Sequence, residues 1–374
     1  MLIAAGTLLT PSRRISPGWL SVRDGRITAI GPGDPPGHSD HDFRPYTVAP
    51  GFVDIHVHGG GGRSFDENDA AAAEAVVAAH RDHGTTTMVA SLVSAPLDEL
   101  VYGLHTYRPL VEAGLLAGVH LEGPFLSDEY AGAHPAHHLR PPDPDALGRV
   151  LDAGRGVLAM ITLAPELDGG MAAVRAVRAA GVVAAIGHTA ATYEQAAAAI
   201  DAGATLATHL CNAMPPFHHR RPGPVPACLE DARMAVEVIA DGVHLHPATL
   251  TLLARAAGPD RLVMVSDAIA AAACGDGTYA LGGQRVEVRS GRAVVAGTDV
   301  LAGSTLTLDA ALRQAVAAGI DPAAAMAALT ANPARVLGLV DRGRLAVGAR
   351  ADLVVLSEDL EVRAVMTGGE LPRA

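Results

Sequence analysis

Short apolar stretches alternate with longer alanine-rich stretches along most of the chain, beginning near residue 48. The apolar stretches are rich in Val, Ile and Leu and have the length of buried strands. In the alanine-rich stretches, apolar residues recur at every third or fourth position, which predicts helices such as 69–83, 171–180, 191–202 and 247–257. The pattern predicts eight strands: 48–58, 85–92, 117–122, 158–164, 182–188, 205–210, 235–240 and 262–267.

Strands that alternate with helices in this way form parallel βαβ units. Eight such units favour a closed (β/α)8 barrel over an open sheet. We therefore predict an α/β fold in which residues 48–340 form a TIM-like barrel. Strand signals also alternate around Ser290-Gly291, which predicts a β-hairpin inserted after the eighth strand, near 278–295.

The two ends of the chain have a different pattern. Near the amino terminus, turns such as Asp24-Gly25 separate three short strand-like segments, 2–9, 19–23 and 26–30. Similar segments lie near the carboxyl terminus, at 353–356 and 361–367. We predict that the two ends, residues 1–47 and 341–374, form one small β-sandwich domain.

The chain has 374 residues, of which 49% are hydrophobic and 18% are charged, enough to bury a large core. No apolar run approaches the ~18 residues that span a bilayer, and the first residues lack the features of a secretory leader. The three cysteines, Cys211, Cys228 and Cys274, form no CxxC pair. We therefore expect a cytoplasmic protein with no membrane partner.

The 28 basic and 40 acidic residues give a net charge of −12, which argues against nucleic acid as a partner. An anionic substrate must therefore meet a local basic cluster, and the densest one is His218-His219-Arg220-Arg221. All the basic residues are arginine, so the chain contains no lysine. Schiff-base chemistry, a P-loop lysine and a carboxylated lysine that bridges two metal ions are thereby excluded.

Two histidines close the first predicted strand. His56 and His58 are separated by one residue, so their side chains lie on the same face of a strand and can bind one cation. This spacing alone is a weak indication in a chain with 17 histidines. It is strengthened by polar residues at the carboxyl ends of other predicted strands: Glu122, His188, His209 and Asp267.

In a (β/α)8 barrel these strand ends converge on one mouth. Each residue alone has an ordinary structural alternative, as a helix cap, an ion-pair partner or a hydrogen-bonded core residue, but their recurrence at corresponding positions favours a shared site. Histidine and carboxylate ligands bind Zn²⁺ or Fe²⁺ and leave a position for water, whose pKa falls to ~7. Asp267 can then accept a proton from that water and deliver it to a leaving amine.

Eight short motifs occur in an order that resembles the N-acetylglucosamine-6-phosphate deacetylases of the amidohydrolase superfamily: PGFVDIHVHG, HLEGP, GAH, GHT, THLCNAM, ADGVH, SDA and LAGS. The resemblance extends from about residue 48 to residue 340. A His-x-His pair with a later His and Asp is shared across the superfamily, whereas HLEGP together with HLCNAMPP is far more specific. The resemblance implies a metal-dependent hydrolase barrel.

The resemblance also implies the metal ligands. Glu122 is expected to hold the catalytic metal together with His188 and His209, and the retained pair His56 and His58 allows a second ion. Whether one or two ions bind per subunit, and whether they are zinc or iron, stays open at this point.

Further roles follow from the same resemblance. Asp267 matches the family's catalytic acid and base, and His134 matches a histidine that contacts the substrate carbonyl and stabilises the oxyanion. Arg220 matches an arginine that reaches the phosphate in the neighbouring subunit's site, which implies a homodimer. Five more residues are placed in the substrate site: Ala133, Asn212, Ala213, His244 and Leu301.

The implied activity is hydrolysis of the N-acetyl group of N-acetylglucosamine 6-phosphate to glucosamine 6-phosphate and acetate. Three alternatives stay open: N-acetylgalactosamine 6-phosphate as the substrate, another amidohydrolase reaction such as that of a D-aminoacylase, and a barrel that has lost catalysis. Residues 269–273 are apolar where family members commonly carry a more polar stretch, so sugar selectivity can differ.

Overall fold

The computed structural model describes residues 1–11 and 13–371. Its strands are numbered β1–β20 and its α-helices α1–α10 along the chain. The larger sheet contains eight parallel strands, each hydrogen-bonded to the next along the chain: β6 (Phe52–Asp54), β9 (Thr85–Val93), β10 (Gly118–Glu122), β11 (Leu158–Leu163), β12 (Val183–Ile186), β13 (Leu206–Ala207), β14 (Ala235–Ile239) and β15 (Leu262–Val265). This arrangement confirms the predicted TIM-like barrel.

Helices connect and follow these strands: α1 (Ala70–Arg81), α2 (Leu97–Glu112), α3 (Pro144–Ala153), α4 (Gly170–Ala179), α5 (Tyr193–Ala202), α6 (Pro224–Glu230), α7 (Pro247–Ala257), α8 (Leu308–Ala317), α9 (Pro322–Leu329) and α10 (Ala331–Val336). Polar side chains cap the starts of some of these helices. The Asp69 side chain accepts the N–H of Ala72 before α1, and Thr192 forms a capping box before α5. Within the described residues, none of these helices is both long and apolar enough to cross a membrane.

Hydrogen bonds close the barrel between its first and last strands. The backbone N–H of Asp267 donates to the carbonyl oxygen of His56 at 2.8 Å. The backbone N–H of Ser266 donates to the Asp54 carboxylate at 3.3 Å. Because all eight strands are parallel, their carboxyl ends lie at one mouth, where the residues that follow them are brought together.

A second sheet, of seven strands, combines both ends of the chain: β1 (Leu2–Leu9), β2 (Arg14–Ile15), β3 (Gly18–Arg23), β4 (Arg26–Pro32), β5 (His41–Pro50), β19 (Leu353–Leu356) and β20 (Val362–Met366). We call it the terminal sheet. The strand β5 joins the two ends, because it pairs parallel with β1 and antiparallel with β19. The terminal sheet has its own apolar cluster, which includes Ile3, Leu20 and Leu353.

The prediction of one strand over 48–58 is wrong, because the chain changes sheets at Gly51. Residues 48–50 belong to β5 and pair with β19, whereas the barrel strand β6 begins at Phe52. A Cβ atom at Gly51 would lie 2.2 Å from Oγ1 of Thr86, so the close passage between the two sheets requires glycine. His56 consequently lies beyond its strand rather than within it.

The hairpin predicted around Ser290-Gly291 is present as β17 (Gln284–Arg289) and β18 (Arg292–Val295), and a third strand that the prediction did not include, β16 (Gly277–Leu281), pairs with β17. The predicted turn at Ser290-Gly291 joins β17 to β18. A second turn at Gly282-Gly283, where both residues have positive φ, joins β16 to β17. The N–H of Gly282 donates to the Asp66 carboxylate at 3.0 Å, which holds this insert against the barrel.

The remaining strands, β7 (Gly59–Gly60) and β8 (Arg63–Ser64), form a small hairpin after β6. Three short 3-10 helices lie in loops, at Phe65–Glu67, Asp128–Tyr130 and Ala136–His138. The last two belong to the long loop after β10, which passes over the mouth of the barrel and carries His134. The chain thus places this loop and the insert beside the carboxyl ends of the strands.

Candidate metal centre and active site

Seven buried polar side chains meet at the mouth of the barrel. Four of them occupy the second position beyond a barrel strand: His56, His188, His209 and Asp267. Glu122 ends β10, and the remaining two are His58 and His134. None of the seven is more than 6% exposed. The structure therefore brings together all the residues that the sequence predicts to bind metal or to act in catalysis.

Glu122 lies at the centre of this cluster. Its Oε1 atom is 2.9 Å from Nε2 of His209 and 3.2 Å from Nε2 of His188. Its Oε2 atom lies 3.2, 3.3 and 3.4 Å from the Nε2 atoms of three more residues, respectively His58, His134 and His56. One carboxylate therefore faces five imidazole rings through its two oxygens.

The donor atoms of the cluster fit a divalent cation. Two groups have ligand atoms within 4.8 Å of one another: His56, His58 and Glu122, and Glu122, His134 and His188. The Nε2 atoms of His56 and His58 are 3.2 Å apart, and so are those of His188 and His209. Imidazole nitrogens grouped around a carboxylate form a ligand set that suits zinc or iron once the rings are neutral.

Charge and burial shift the pKa values of the cluster in opposite directions. Burial lowers the pKa of His58, but hydrogen bonds with Asp267 and Glu122 outweigh burial and raise it to about 9. Burial alone would raise the pKa of Glu122, but the positive charge of His56 helps to hold it well below its usual range. Protons and a metal ion therefore compete for the same atoms, because an imidazole must be neutral to bind a metal.

His134 is held in one orientation by Ser94. Its Nδ1 atom accepts the backbone N–H of Ser94 at 3.2 Å and lies 2.9 Å from the Ser94 hydroxyl. Burial lowers the pKa of His134 to about 4, so its ring is neutral near pH 7. Because Nδ1 accepts, the single ring hydrogen is on Nε2, beside Glu122. His134 therefore presents a neutral N–H donor at the mouth of the barrel.

Three residues of the cluster have left-handed backbone conformations. The φ angles are +46° at His188, +24° at His209 and +48° at Asp267. For residues that carry a Cβ atom this conformation costs about 1 kcal/mol or more. It turns the chain sharply just beyond the strand, so that these side chains face the mouth. Such strain concentrated in one place is typical of a functional site.

A pocket of about 330 Å³ opens over the cluster, a volume in the range of small-molecule sites. Its wall includes five of the predicted substrate-binding residues: Ala133, Asn212, Ala213, His244 and Leu301. Apolar surface is added by Val93, by Leu281 of the insert and by Val300. The base of the pocket, at the cluster, is thus polar, and its wall contains both polar and apolar side chains.

Two of the predicted substrate-binding residues, His244 and Arg220, occupy different places. His244 lines the pocket, and its Nδ1 atom is 2.7 Å from Oδ2 of Asp241. Burial opposes protonation, but this hydrogen bond raises the pKa of His244, which favours the cationic ring. Arg220 lies in an exposed loop before α6, with Nη1 2.7 Å from Nε2 of His219. Among the described residues, those that line the pocket do not include Arg220.

Sequence reasoning missed two residues of the site. Ser94 directly follows β9, and the rule that found Asp267, a polar residue just beyond a strand, applies to it equally. Glu237 lies inside β14, between Val236 and Val238, and is fully buried. A charged residue in an apolar strand is a signal, but the sequence does not show what it faces. In the structure it faces His56, with Oε2 3.2 Å from Nδ1.

Comparison with known proteins decides the family. Residues 47–371 match the model of the amidohydrolase family. The chain belongs to this family. The amidohydrolase family is metal-dependent and acts on amide bonds, in agreement with the histidine and glutamate groups at the mouth of the barrel.

Relatives narrow the comparison to deacetylases. This amidohydrolase is 42% identical over 344 residues to the N-acetylglucosamine-6-phosphate deacetylase of Bos taurus, covering 87% of this chain and 83% of that protein. It is 33% identical to the N-acetylglucosamine-6-phosphate deacetylase of Bacillus subtilis (strain 168), with 99% of this chain and 96% of that protein covered. An N-acetylgalactosamine-6-phosphate deacetylase of Escherichia coli O157:H7 is 35% identical, with 99% and 98% covered.

Solved structures give the same result. The D267A mutant of N-acetyl-D-glucosamine-6-phosphate deacetylase from Mycobacterium smegmatis, in complex with N-acetyl-D-glucosamine 6-phosphate, matches with a TM-score of 0.97 and 49% identity over 99% of this chain and 98% of that one. The N-acetylglucosamine-6-phosphate deacetylase from Thermotoga maritima matches with a TM-score of 0.91 and 30% identity over 99% of each chain. The predicted family membership of this amidohydrolase is confirmed.

Proposed function

We propose that this amidohydrolase removes the N-acetyl group of N-acetylglucosamine 6-phosphate and releases acetate and glucosamine 6-phosphate. The observation that carries the proposal is the cluster in which Glu122 faces five histidines beside Asp267, at the base of a pocket. Similarity to deacetylases of this sugar phosphate over almost the whole chain supports the choice of substrate.

We propose Glu122, His188 and His209 as the ligands of one divalent ion, with His56 and His58 sharing Glu122 to bind a second. A bound ion supplies Lewis acidity, which activates water and polarises the amide carbonyl. Zinc and iron both suit these ligands. Because the chain has no lysine, Glu122 is the carboxylate available to connect the two positions.

Asp267 is the proposed proton carrier. Its Oδ1 atom is 3.2 Å from Nε2 of His58. Although burial opposes it, the positive charge of neighbouring histidines holds the pKa of Asp267 below its usual range, so the carboxylate is available as a base. It takes a proton from the attacking water as the water oxygen bonds to the amide carbon. The same proton is then donated to the amide nitrogen as the C–N bond breaks.

His134 stabilises the charge that develops between these two steps. Attack on the amide carbon places a negative charge on the former carbonyl oxygen. The neutral Nε2–H of His134, which is oriented by Ser94, donates to that oxygen. Since the donor is already oriented, little reorganisation is needed when the charge appears.

Substrate binding uses donors on the pocket wall and, we propose, a second subunit. His244 and Asn212 lie on the wall of the pocket and can donate to the sugar phosphate. We propose that the protein is a homodimer in which Arg220 binds the phosphate in the neighbouring subunit's site. The exposed position of Arg220, away from its own pocket, supports this arrangement. A cytoplasmic location stays a prediction, supported by the free thiols of the three cysteines.

Acetate release by the zinc-loaded and the iron-loaded protein tests the proposed reaction. N-acetylglucosamine 6-phosphate is expected to be hydrolysed, and unphosphorylated N-acetylglucosamine is expected to react much more slowly at the same concentration. N-acetylgalactosamine 6-phosphate is the third substrate in this assay, because one of the relatives bears that name. Faster acetate release from N-acetylgalactosamine 6-phosphate would show that this compound is the preferred substrate. No acetate release from any of the three compounds would overturn the proposal.

Replacing Arg220 by alanine is expected to raise KM for the sugar phosphate about 10- to 100-fold and to change kcat little. A hydrogen bond to a charged group contributes about 1.5–3 kcal/mol, and the phosphate is remote from the reacting amide. Initial rates over a range of substrate concentrations give both constants. Arg221→Ala is the matched control. Equal KM values for the two variants would show that Arg220 does not bind the phosphate.

A further inference from the structure

Glu237 is a buried acidic residue that the proposed reaction does not use. It lies on β14, with no exposed surface, and its neighbours in the strand are Val236 and Val238. The Oε2 atom is 3.2 Å from Nδ1 of His56. The same Oε2 atom accepts the backbone N–H of His209 at 3.2 Å. A single oxygen of Glu237 therefore contacts two residues that face different oxygens of Glu122.

We propose that Glu237 is a positioning residue that fixes the ring orientation and tautomer of His56 and, through the same oxygen, the backbone of His209. The proposal rests on the metal ligands of the proposed function and adds the group that holds two of them. It assigns Glu237 no contact with the substrate.

The tautomer of His56 follows from the contact with Glu237. A carboxylate oxygen only accepts hydrogen bonds, so the ring hydrogen of His56 is on Nδ1. When the ring is neutral, as a metal ligand must be, the lone pair of Nε2 is directed toward the cluster, where Nε2 lies 3.2 Å from Nε2 of His58 and 3.4 Å from Oε2 of Glu122. This is the lone pair that a metal ion requires. A histidine ligand commonly donates its second ring N–H to a carboxylate in this manner.

The contact with His209 acts on the backbone instead of the ring. His209 has a φ angle of +24°, and its N–H donates to Glu237 at the point where the chain turns. The next N–H, of Leu210, donates to the backbone oxygen of Glu237 at 2.9 Å. These two hydrogen bonds hold the turn that places Nε2 of His209 2.9 Å from Oε1 of Glu122. Glu237 thus connects ligands of both proposed ions.

Glu237→Leu tests the tautomer, because it removes the oxygen that accepts from Nδ1 of His56 and offers no other acceptor. Glutamine is unsuitable, since its amide oxygen can accept the same two hydrogen bonds. Without the acceptor, the neutral ring of His56 is expected to carry its hydrogen on Nε2, which lies 3.4 Å from Oε2 of Glu122.

Nitrogen-15 NMR of the metal-free, histidine-labelled protein distinguishes the two tautomers at a pH high enough for the ring of His56 to be neutral. We expect the nitrogen signals of His56 to change from the Nδ1–H pattern to the Nε2–H pattern. These signals are assigned to His56 because they are absent from the spectrum of the His56→Gln variant. An unchanged tautomer would overturn the proposal, whether or not the protein binds metal.

Zinc affinity provides the second measurement. Titration against a chromophoric chelator is expected to show an affinity about 10- to 100-fold weaker in Glu237→Leu than in the unaltered protein, as is usual when a group behind a ligand is removed. Glu237→Asp keeps a carboxylate and is expected to recover part of the loss. If Glu237→Leu does not fold, the zinc affinity of Glu237→Asp is measured instead. Because the aspartate side chain is shorter, it should hold His56 less well, and an unchanged zinc affinity would contradict the proposal.

Asp309→Asn is the matched control for the loss of a buried carboxylate. Asp309 is 6% exposed and pairs with His83 and Arg313, outside the cluster. The zinc affinity of the Asp309→Asn variant is expected to equal that of the unaltered protein. Equal losses in Asp309→Asn and Glu237→Leu would show a general effect of destabilisation and would overturn the proposal. If the unaltered protein binds no zinc or iron, the proposed function fails, and the NMR measurement still decides the role of Glu237.

Discussion

Asp267→Asn is expected to lower kcat about 10⁴-fold while leaving the metal content unchanged. Asparagine has nearly the shape of aspartate, but it can neither take a proton from water nor return one to the leaving nitrogen. Proton transfer by a positioned side chain is worth about 10²–10⁴-fold, and Asp267 is proposed to act in both proton transfers. Acetate release and elemental analysis of the same sample measure the two quantities.

A matched control separates this effect from a general loss of negative charge. Asp276, at the start of the insert, is exposed, and its carboxylate accepts the backbone N–H groups of Ser290 and Gly291. Asp276→Asn is expected to keep full activity. A kcat of Asp267→Asn within tenfold of the unaltered enzyme would show that another group carries the proton.

Glu122→Gln is expected to abolish tight metal binding and to lower kcat about 10³-fold or more. The carboxylate faces five imidazoles, and its replacement removes the negative charge that they share. Lewis-acid stabilisation of the transition state is worth several kcal/mol, and each 1.36 kcal/mol is a factor of ten in rate. Elemental analysis after gel filtration measures the bound metal, and acetate release measures the rate.

The loss of metal affinity in Glu122→Gln should exceed the loss caused by replacing a residue that only hydrogen-bonds to a metal ligand. Such a replacement lowers metal affinity about 10- to 100-fold. Glu361→Gln, at an exposed glutamate next to the terminal sheet, is the control for the chemical change. If Glu122→Gln retained metal at the level of this control, the central position of Glu122 in the ligand set would be wrong.

Much of the candidate site could be predicted because, in a parallel barrel, residues that directly follow the strands lie close together at one mouth. His188, His209 and Asp267 are each the second residue beyond a strand, and parallel strands that form a ring bring such positions together. The sequence therefore identifies these residues without any knowledge of contacts. Glu237 could not be identified in the same way, because its function depends on which side chain lies opposite within the barrel.

The error in the fold at Gly51 has the same origin. Residues on both sides of Gly51 are apolar and strand-like, so the local pattern continues from 48 to 58. The division between the two sheets depends on pairing with β19, which is about 300 residues away in the sequence, and on the closeness of Thr86. In the insert, the pattern predicts the turn at Ser290-Gly291, whereas the second turn, at Gly282-Gly283, separates β16 from β17 and was not predicted.

The pairing of β5 also has a consequence for the order in which the protein can fold during synthesis. The strands β1 and β5 leave the ribosome early, whereas β19 is made only after the whole barrel. Until then, residues 47–50 present an unpaired strand edge beside an apolar cluster, a combination that promotes association between chains. A chain whose translation stops before Leu353 keeps that edge open. Synthesis of β19 is therefore the event that protects the nascent protein from aggregation at this edge.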